Sequence, residues 1–187
     1  MTAQTTLTTH PQFTAGTWKL DTAHSELSFS VRHLVVSKVR GVFENFDVTI
    51  VTSPDESETT LEATIDIASV DTRNEMRDGH LRTGDFFLVD EHPTATYRGT
   101  AVTLDGDHFT VEGELTLRGV TRPVALKGEF LGIVTNGYGQ TVAAASATTT
   151  INRTDFGVNW NTALEAGGMT LGDDVALTFE LQVVKQD

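Results

Sequence analysis

The side chains best suited to chemistry crowd into one stretch, Val70–Val89, with the sequence VDTRNEMRDGHLRTGDFFLV. It sets Asp71, Arg73, Glu75, Arg77, Asp78, His80, Arg82 and Asp85 beside Phe86 and Phe87. A mixture of carboxylate, guanidinium and imidazole groups can hold a polar head group, ligate a metal or move a proton. The spacing also predicts a short helix. Thr72 and Glu75 stand three apart, the capping-box interval in which each side chain satisfies a backbone N–H at a helix start. Asp71 is a second N-cap candidate and complements the helix dipole. Met76 and His80 fall on one helical face, with Leu81 beside them. Asp78 and Arg82 stand one turn apart, which suits ion pairing, and Arg77 is within reach of Asp71 or Asp78. Gly79 and Gly84 limit the helix to two or three turns. The stretch reads either as a solvated crossover with the Phe pair in the core, or as a cap, polar outside and aromatic inside, over a cavity.

Elsewhere the chain offers little catalytic geometry. His24, His33, His80, His92 and His108 lie in separate segments with no HxH or HExxH spacing, and Asp78-Gly79-His80 is the nearest thing to a ligand pair. The absence of cysteine excludes disulfides, thiolate metal sites and cysteine nucleophiles. There is no Gly-x-Ser-x-Gly elbow, and Ser25 beside His24 lacks an oriented acid. Gly137-Tyr138-Gly139 lacks the strand–loop–helix context of a phosphate cradle. No catalytic residue, metal ligand or cofactor is therefore assigned. The 187 residues carry 26 acids against 13 Lys and Arg, a formal net charge of −13. That balance argues against nucleic acid and anionic membrane as bulk partners. Residues 1–15 are Thr-rich and read as a flexible tail, with residues 16–187 as a single domain. The tail has neither a basic n-region nor an apolar h-region, so the expected location is cytoplasmic. No apolar run is long enough for a membrane-spanning helix.

The elements that must position these groups are strands. Leu27, Phe29 and Val31 alternate with Glu26, Ser28 and Ser30, the period of a half-buried strand. Leu61, Ala63, Ile65 and Ile67 repeat that period, as do Phe109 to Leu117 and Val175 to Val183. His33 to Val36 breaks the phase and predicts a short helical turn. Asp105-Gly106-Asp107 predicts a hairpin. Val142 to Ile151 is a strand of small residues in which Ala143, Ala145, Ala147, Thr149 and Ile151 share the expected inner face. About eight strands and one helix predict an all-β antiparallel barrel or sandwich. Eight strands close around an interior that side chains fill, or that holds one slender ligand. The uncharged inner faces fit either outcome.

Several blocks carry a resemblance. His24-Ser25 precedes Phe29-Ser30-Val31-Arg32-His33-Leu34, and Gly41-Val42-Phe43 follows. Asp71-Thr72-Arg73-Asn74, Arg77-Asp78, His80-Leu81 and Asp85-Phe86-Phe87 form the most specific set. Gly113 to Val124 (GELTLRGVTRPV) and Arg153-Thr154-Asp155-Phe156-Gly157 complete it. In this order and spacing, across roughly residues 16–185, the chain resembles the YceI-like family of polyisoprenoid-binding proteins. The resemblance implies an eight-stranded lipocalin-like barrel with one short helix capping or crossing it. It also implies an elongated apolar cavity for an isoprenoid or similar lipid, of polyprenyl, quinone or fatty-acyl type, and homodimers. A carrier, storage or sequestering protein follows, without catalysis. Phe29, Ile65, Met76, Leu81, Phe86, Phe87 and Ala145 are the expected lining, with His33, Arg77 and His80 at a head group. The alternatives are a metal-dependent hydrolase or lyase on the same barrel, and a filled barrel acting as an interaction module.

Overall fold

The computed structural model describes residues 14–54, 58–163 and 169–186. Most of the expected tail, residues 1–13, lies outside the described residues. Eleven strand segments run in chain order: β1 (Gly16–Leu20), β2 (Glu26–His33), β3 (Ser37–Phe43), β4 (Phe46–Thr52), β5 (Thr60–Asp66), β6 (Val70–Asp71), β7 (Thr94–Asp105), β8 (His108–Leu117), β9 (Val120–Thr135), β10 (Thr141–Asn152) and β11 (Leu171–Lys185). Among the described residues one α-helix, α1 (Glu75–Arg82), joins β6 to β7, beside short 3-10 turns at Ile67–Ser69 and Arg153–Phe156.

The segments make an eight-stranded antiparallel barrel, because three of its staves are creased. β1 and β2 pair in succession with the same edge of β11, from Trp18 opposite Lys185 to His33 opposite Leu171. β3 and β4 pair in the same way with β2 and β1. β5 and β6 complete the third stave, and β7 to β11 follow as a meander. The first stave meets the last, so no edge is left to template aggregation along the barrel wall.

The crease between β1 and β2 is held by named side chains. Between β1 and β2, the Asp21 carboxylate accepts bonds from the Ala23 N–H and from Gln182 Nε2 and contacts the His24 ring at 2.9 Å. The His24 hydrogen bond, foremost among these contacts, holds the Asp21 carboxyl below its ordinary range. Ser25 Oγ meets the Gln182 backbone. The His24-Ser25 block thus fastens a bend in the wall.

Position along the barrel divides the interior. At the end where α1 sits, Ile67, Val70 and Phe156 are fully buried, surrounded by Leu27, Phe43, Ile65 and Leu117. Arg153, 6% exposed, ties this end together: its guanidinium donates to the carbonyls of Gly172, Val158 and Trp160 and to Asp173 Oδ1. Arg118, with φ of 51°, donates to Gly157 O and Gly84 O and so links the GELTLRGV, RTDFG and TGDFF blocks.

The segment from 33 to 36 is a hairpin turn and not helical. Leu34 and Val35 have φ of 52° and 64° and reverse the chain between β2 and β3, since opposed strands leave no room for a helical turn. The capping box does not form either. Asn74 is the N-cap of α1 and accepts from the Arg77 N–H. Thr72 is drawn elsewhere: its N–H and hydroxyl both donate to the buried Asp78 carboxylate. Asp71 accepts from the Arg73 N–H, and Arg73 takes a left-handed φ of 61° in the resulting turn.

Candidate functional site

The barrel's other end is hollow. A cavity of about 190 Å³ opens there, between the mid-barrel layer of Ala63, Tyr97, Val111 and Leu126 and the rim at Thr14, Thr52, Thr59 and Gly106. Trp18, Ile50, Val102, Leu104, Phe109, Phe130, Ile133, Phe179, Leu181 and Val183 supply the larger side chains between them.

Two features of the strands create the space. Ala143, Ala144, Ala145 and Ala147 line one side, where methyl groups stand opposite Phe130 and Leu181. Two register breaks then turn extra side chains inward. Phe130 and Ile133, three apart, both face the cavity, which alternation alone forbids. The β9–β10 ladder skips Leu131, and Gly132 at φ 127° absorbs the bulge. A shift between Gly99 and Ala101 does the same for Tyr97 and Val102 on β7.

The wall's polar groups are already engaged. Trp18 Nε1 donates to Thr52 Oγ1, and that hydroxyl reaches the carbonyls of Thr14 and Gly16. Tyr97 Oη lies 3.1 Å from Val111 O and 3.0 Å from Val124 O. Burial, and then the charge of Glu112, push its phenol up to about 12. Thr59 Oγ1 accepts from the Ser53 N–H. A guest therefore meets hydrocarbon, and among the described residues no carboxylate or imidazole lines the wall.

Of the ten expected ligand contacts, Ala145 lies on this wall. The other nine are elsewhere. Ile65 belongs to the packed core, and Leu81 lies against it. Phe29 packs 5.4 Å from Phe43, and Phe87 lies 6.0 Å from Phe43 on the same side. Phe86 is buried and stacks with His80 at 5.0 Å and Trp160 at 5.2 Å. The His80 ring also contacts Asp85 at 2.8 Å. His33 ends β2 opposite Ser37. Arg77 donates to the Thr72 hydroxyl and carbonyl, with the expected ion pair to Asp71 or Asp78 not formed. Met76 is 86% exposed and lines nothing, because two residues along a helix turn it about 200° away from buried Asp78. Arg82, expected to pair with Asp78, donates instead to the carbonyls of Ala68 and Val70. The polar stretch therefore closes one end of the barrel. Among the described residues, no three His, Asp or Glu side chains converge as a metal site.

An eight-stranded antiparallel barrel, packed at one end and hollow at the other, defines a class of proteins with a hydrocarbon-lined interior. The YceI-like domain profile matches residues 18–183, and the chain belongs to the YceI-like family. A UPF0312 protein of Staphylococcus aureus strain N315 is 43% identical over 158 residues, covering 83% of this chain and 90% of that protein. The crystal structure of a Campylobacter jejuni YceI protein superposes with a TM-score of 0.71 at 31% identity, covering 90% of this chain and 97% of the other. A polyisoprenoid-binding domain from Saccharophagus degradans shares the fold, with a TM-score of 0.69 at 18% identity over 90% of this chain and 98% of that one. No helix among the described residues is long and apolar enough to cross a membrane.

Proposed function

We propose that this protein binds a long-chain amphiphilic lipid of isoprenoid type, with its hydrocarbon in the hollow half of the barrel, for transport, storage or sequestration. The observation that carries this reading is the wall itself: an open cavity whose Trp, Tyr and Thr polar atoms are bonded to the protein. Such a wall rewards apolar surface at about 25 cal/mol per Å² and gives a polar guest no partner. The Saccharophagus domain, described as polyisoprenoid-binding, supports the isoprenoid choice. Quinone tails and acyl chains meet the same physical requirement. At about 190 Å³ the space is a little larger than the roughly 150 Å³ cavity that takes benzene, so it encloses one segment of a long chain. The remainder leaves past Thr52 and Thr59, and the head group stays outside. Among the described residues the wall carries no carboxylate, imidazole or amine, and its hydroxyls are bonded to the protein, which supports a binder.

Organic extraction of the purified protein followed by mass spectrometry tests this. A stoichiometric prenyl, quinone or acyl lipid is expected, and delipidated protein should rebind a probe of that class. Lipid-free preparations that also bind none of the three probe types would overturn the proposal.

A further inference from the structure

The hairpin joining β2 to β3 carries an unusual combination. Its tip, Leu34-Val35-Val36, is exposed, with Val35 and Val36 at 68% and 84%. Three consecutive exposed apolar residues are rare without a partner. Exposed Met169 adds to the patch, next to Thr170, whose carbonyl accepts from the Leu34 N–H. The tip is also costly to build. Leu34 and Val35 hold left-handed φ values that Asn and Gly adopt without strain and a β-branched residue resists.

Below the tip sits a basic collar. Arg32 pairs directly with Lys38, and Arg40 lies one strand repeat further on the same face. All three are exposed, and among the described residues none has an ion-pair partner. Like charges directly opposite across a ladder repel. No acid occurs from Leu27 to Phe43, in a chain whose net charge is −13. The neighbouring staves do bring acids. Asp173 bonds to Arg153, Asp71 accepts from the Arg73 N–H, and Asp174 on β11 pairs in register with Asn152 of β10; among the described residues none of the three forms an ion pair with Arg32, Lys38 or Arg40.

We infer that this hairpin docks on an anionic lipid bilayer, its Leu34-Val35-Val36 tip entering the interface and Arg32, Lys38 and Arg40 meeting the headgroups. Apolar anchor and cations lie in the order a membrane surface presents their partners, tip first and collar about 7 Å behind it. Nucleic acid would satisfy the cations but leave the tip in water. The chain's overall acidity does not forbid contact, since charges more than about 8 Å away are screened at physiological ionic strength. The hairpin projects from the packed end, so docking leaves the cavity mouth facing away from the bilayer. This inference does not depend on what the cavity holds.

Vesicle co-sedimentation tests it, using phosphatidylcholine with or without phosphatidylglycerol. Binding is expected only with the anionic lipid, weakening as salt rises. Each Lys or Arg near such a surface contributes about fivefold, so Arg32→Gln, Lys38→Gln and Arg40→Gln together should weaken binding about a hundredfold. The second variant, Leu34→Asn with Val35→Gly, relieves the backbone and so keeps the fold, yet should lose more than tenfold in binding. Val35→Trp should show a blue-shifted emission on anionic vesicles. Failure of the parent to bind anionic vesicles overturns the inference, as does undiminished binding by the folded Asn-Gly variant. So does a hairpin that instead binds nucleic acid, or whose variants merely convert a dimer to monomers.

Discussion

Ala145→Phe places an aromatic ring on the wall of the cavity and separates an open lumen from a packed one. Ala145 stands between Phe130 on β9 and Leu181 on β11, both of which line the same space. A ring occupies most of a cavity of about 190 Å³, given that roughly 150 Å³ accommodates benzene. If the ring buries about 100 Å² more apolar surface than a methyl group, it stabilises the fold by about 2.5 kcal/mol. Imperfect fit opposes this with about 1–3 kcal/mol. The delipidated variant should therefore melt close to or above the delipidated parent. Lipid affinity should fall, because the ring displaces about six ligand carbons. At about 0.8 kcal/mol per methylene the loss is at most about 5 kcal/mol, and a third of that already weakens binding more than tenfold. Delipidation before melting is essential, since bound ligand stabilises the folded state by itself. A delipidated variant clearly less stable than its parent, with unaltered affinity for a prenyl probe, would refute an open lumen at this position.

Two further expectations follow from the same wall. Gly128→Ala would set a Cβ 2.3 Å from both the Phe109 ring and the Ser146 carbonyl, so it should cost about 1–3 kcal/mol in chemical denaturation and push Phe109 toward the cavity. An unchanged midpoint would show that the strands part without cost. Tyr97 binds its proton more tightly folded, to about 12, than unfolded, near 10. Between those pH values the unfolded chain holds fewer protons, so stability should fall as pH rises through that window, by about 2–3 kcal/mol in total. Tyr97→Phe should flatten that alkaline limb, and a limb as steep as the parent's would assign it to other groups.

The barrel was legible in the sequence because strands that bury one face advertise it. Leu61 and Ala63, or Phe179, Leu181 and Val183, repeat at intervals of two and do line the interior. Position along the stave was not legible. Whether an inward residue meets packing or space depends on the volumes around it, and here four alanines in β10, of which Ala145 pairs with Phe130, leave space. The bulges were hidden too. Gly132 within β9 was the available signal that Phe130 and Ile133 turn the same way. The charges of the Val70–Val89 stretch have a structural reason. Sealing a barrel end exposes backbone groups that need partners, and Asp78, Arg77 and Arg82 bond to that backbone. A crowd of charges can therefore mark a seam as readily as a binding site. The blocks that make the family resemblance specific, including RTDFG and LRGV, gather at that seam through Arg153 and Arg118.

The separation of a packed end from a hollow one has an evolutionary corollary. Most substitutions destabilise, and a protein tolerates them only while it stays above a folding threshold. Here the fully buried residues, Ile67, Val70 and Phe156, stand away from the wall that meets a guest. Exchanging Ala143, Ala145 or Ile133 for larger or smaller neighbours reshapes the lumen while leaving the Arg153 tie intact. Sites this far apart add nearly independently in free energy. A lineage can thus drift across guests of different girth and length without first acquiring compensating mutations, and the small-residue strand β10 is where such drift should concentrate.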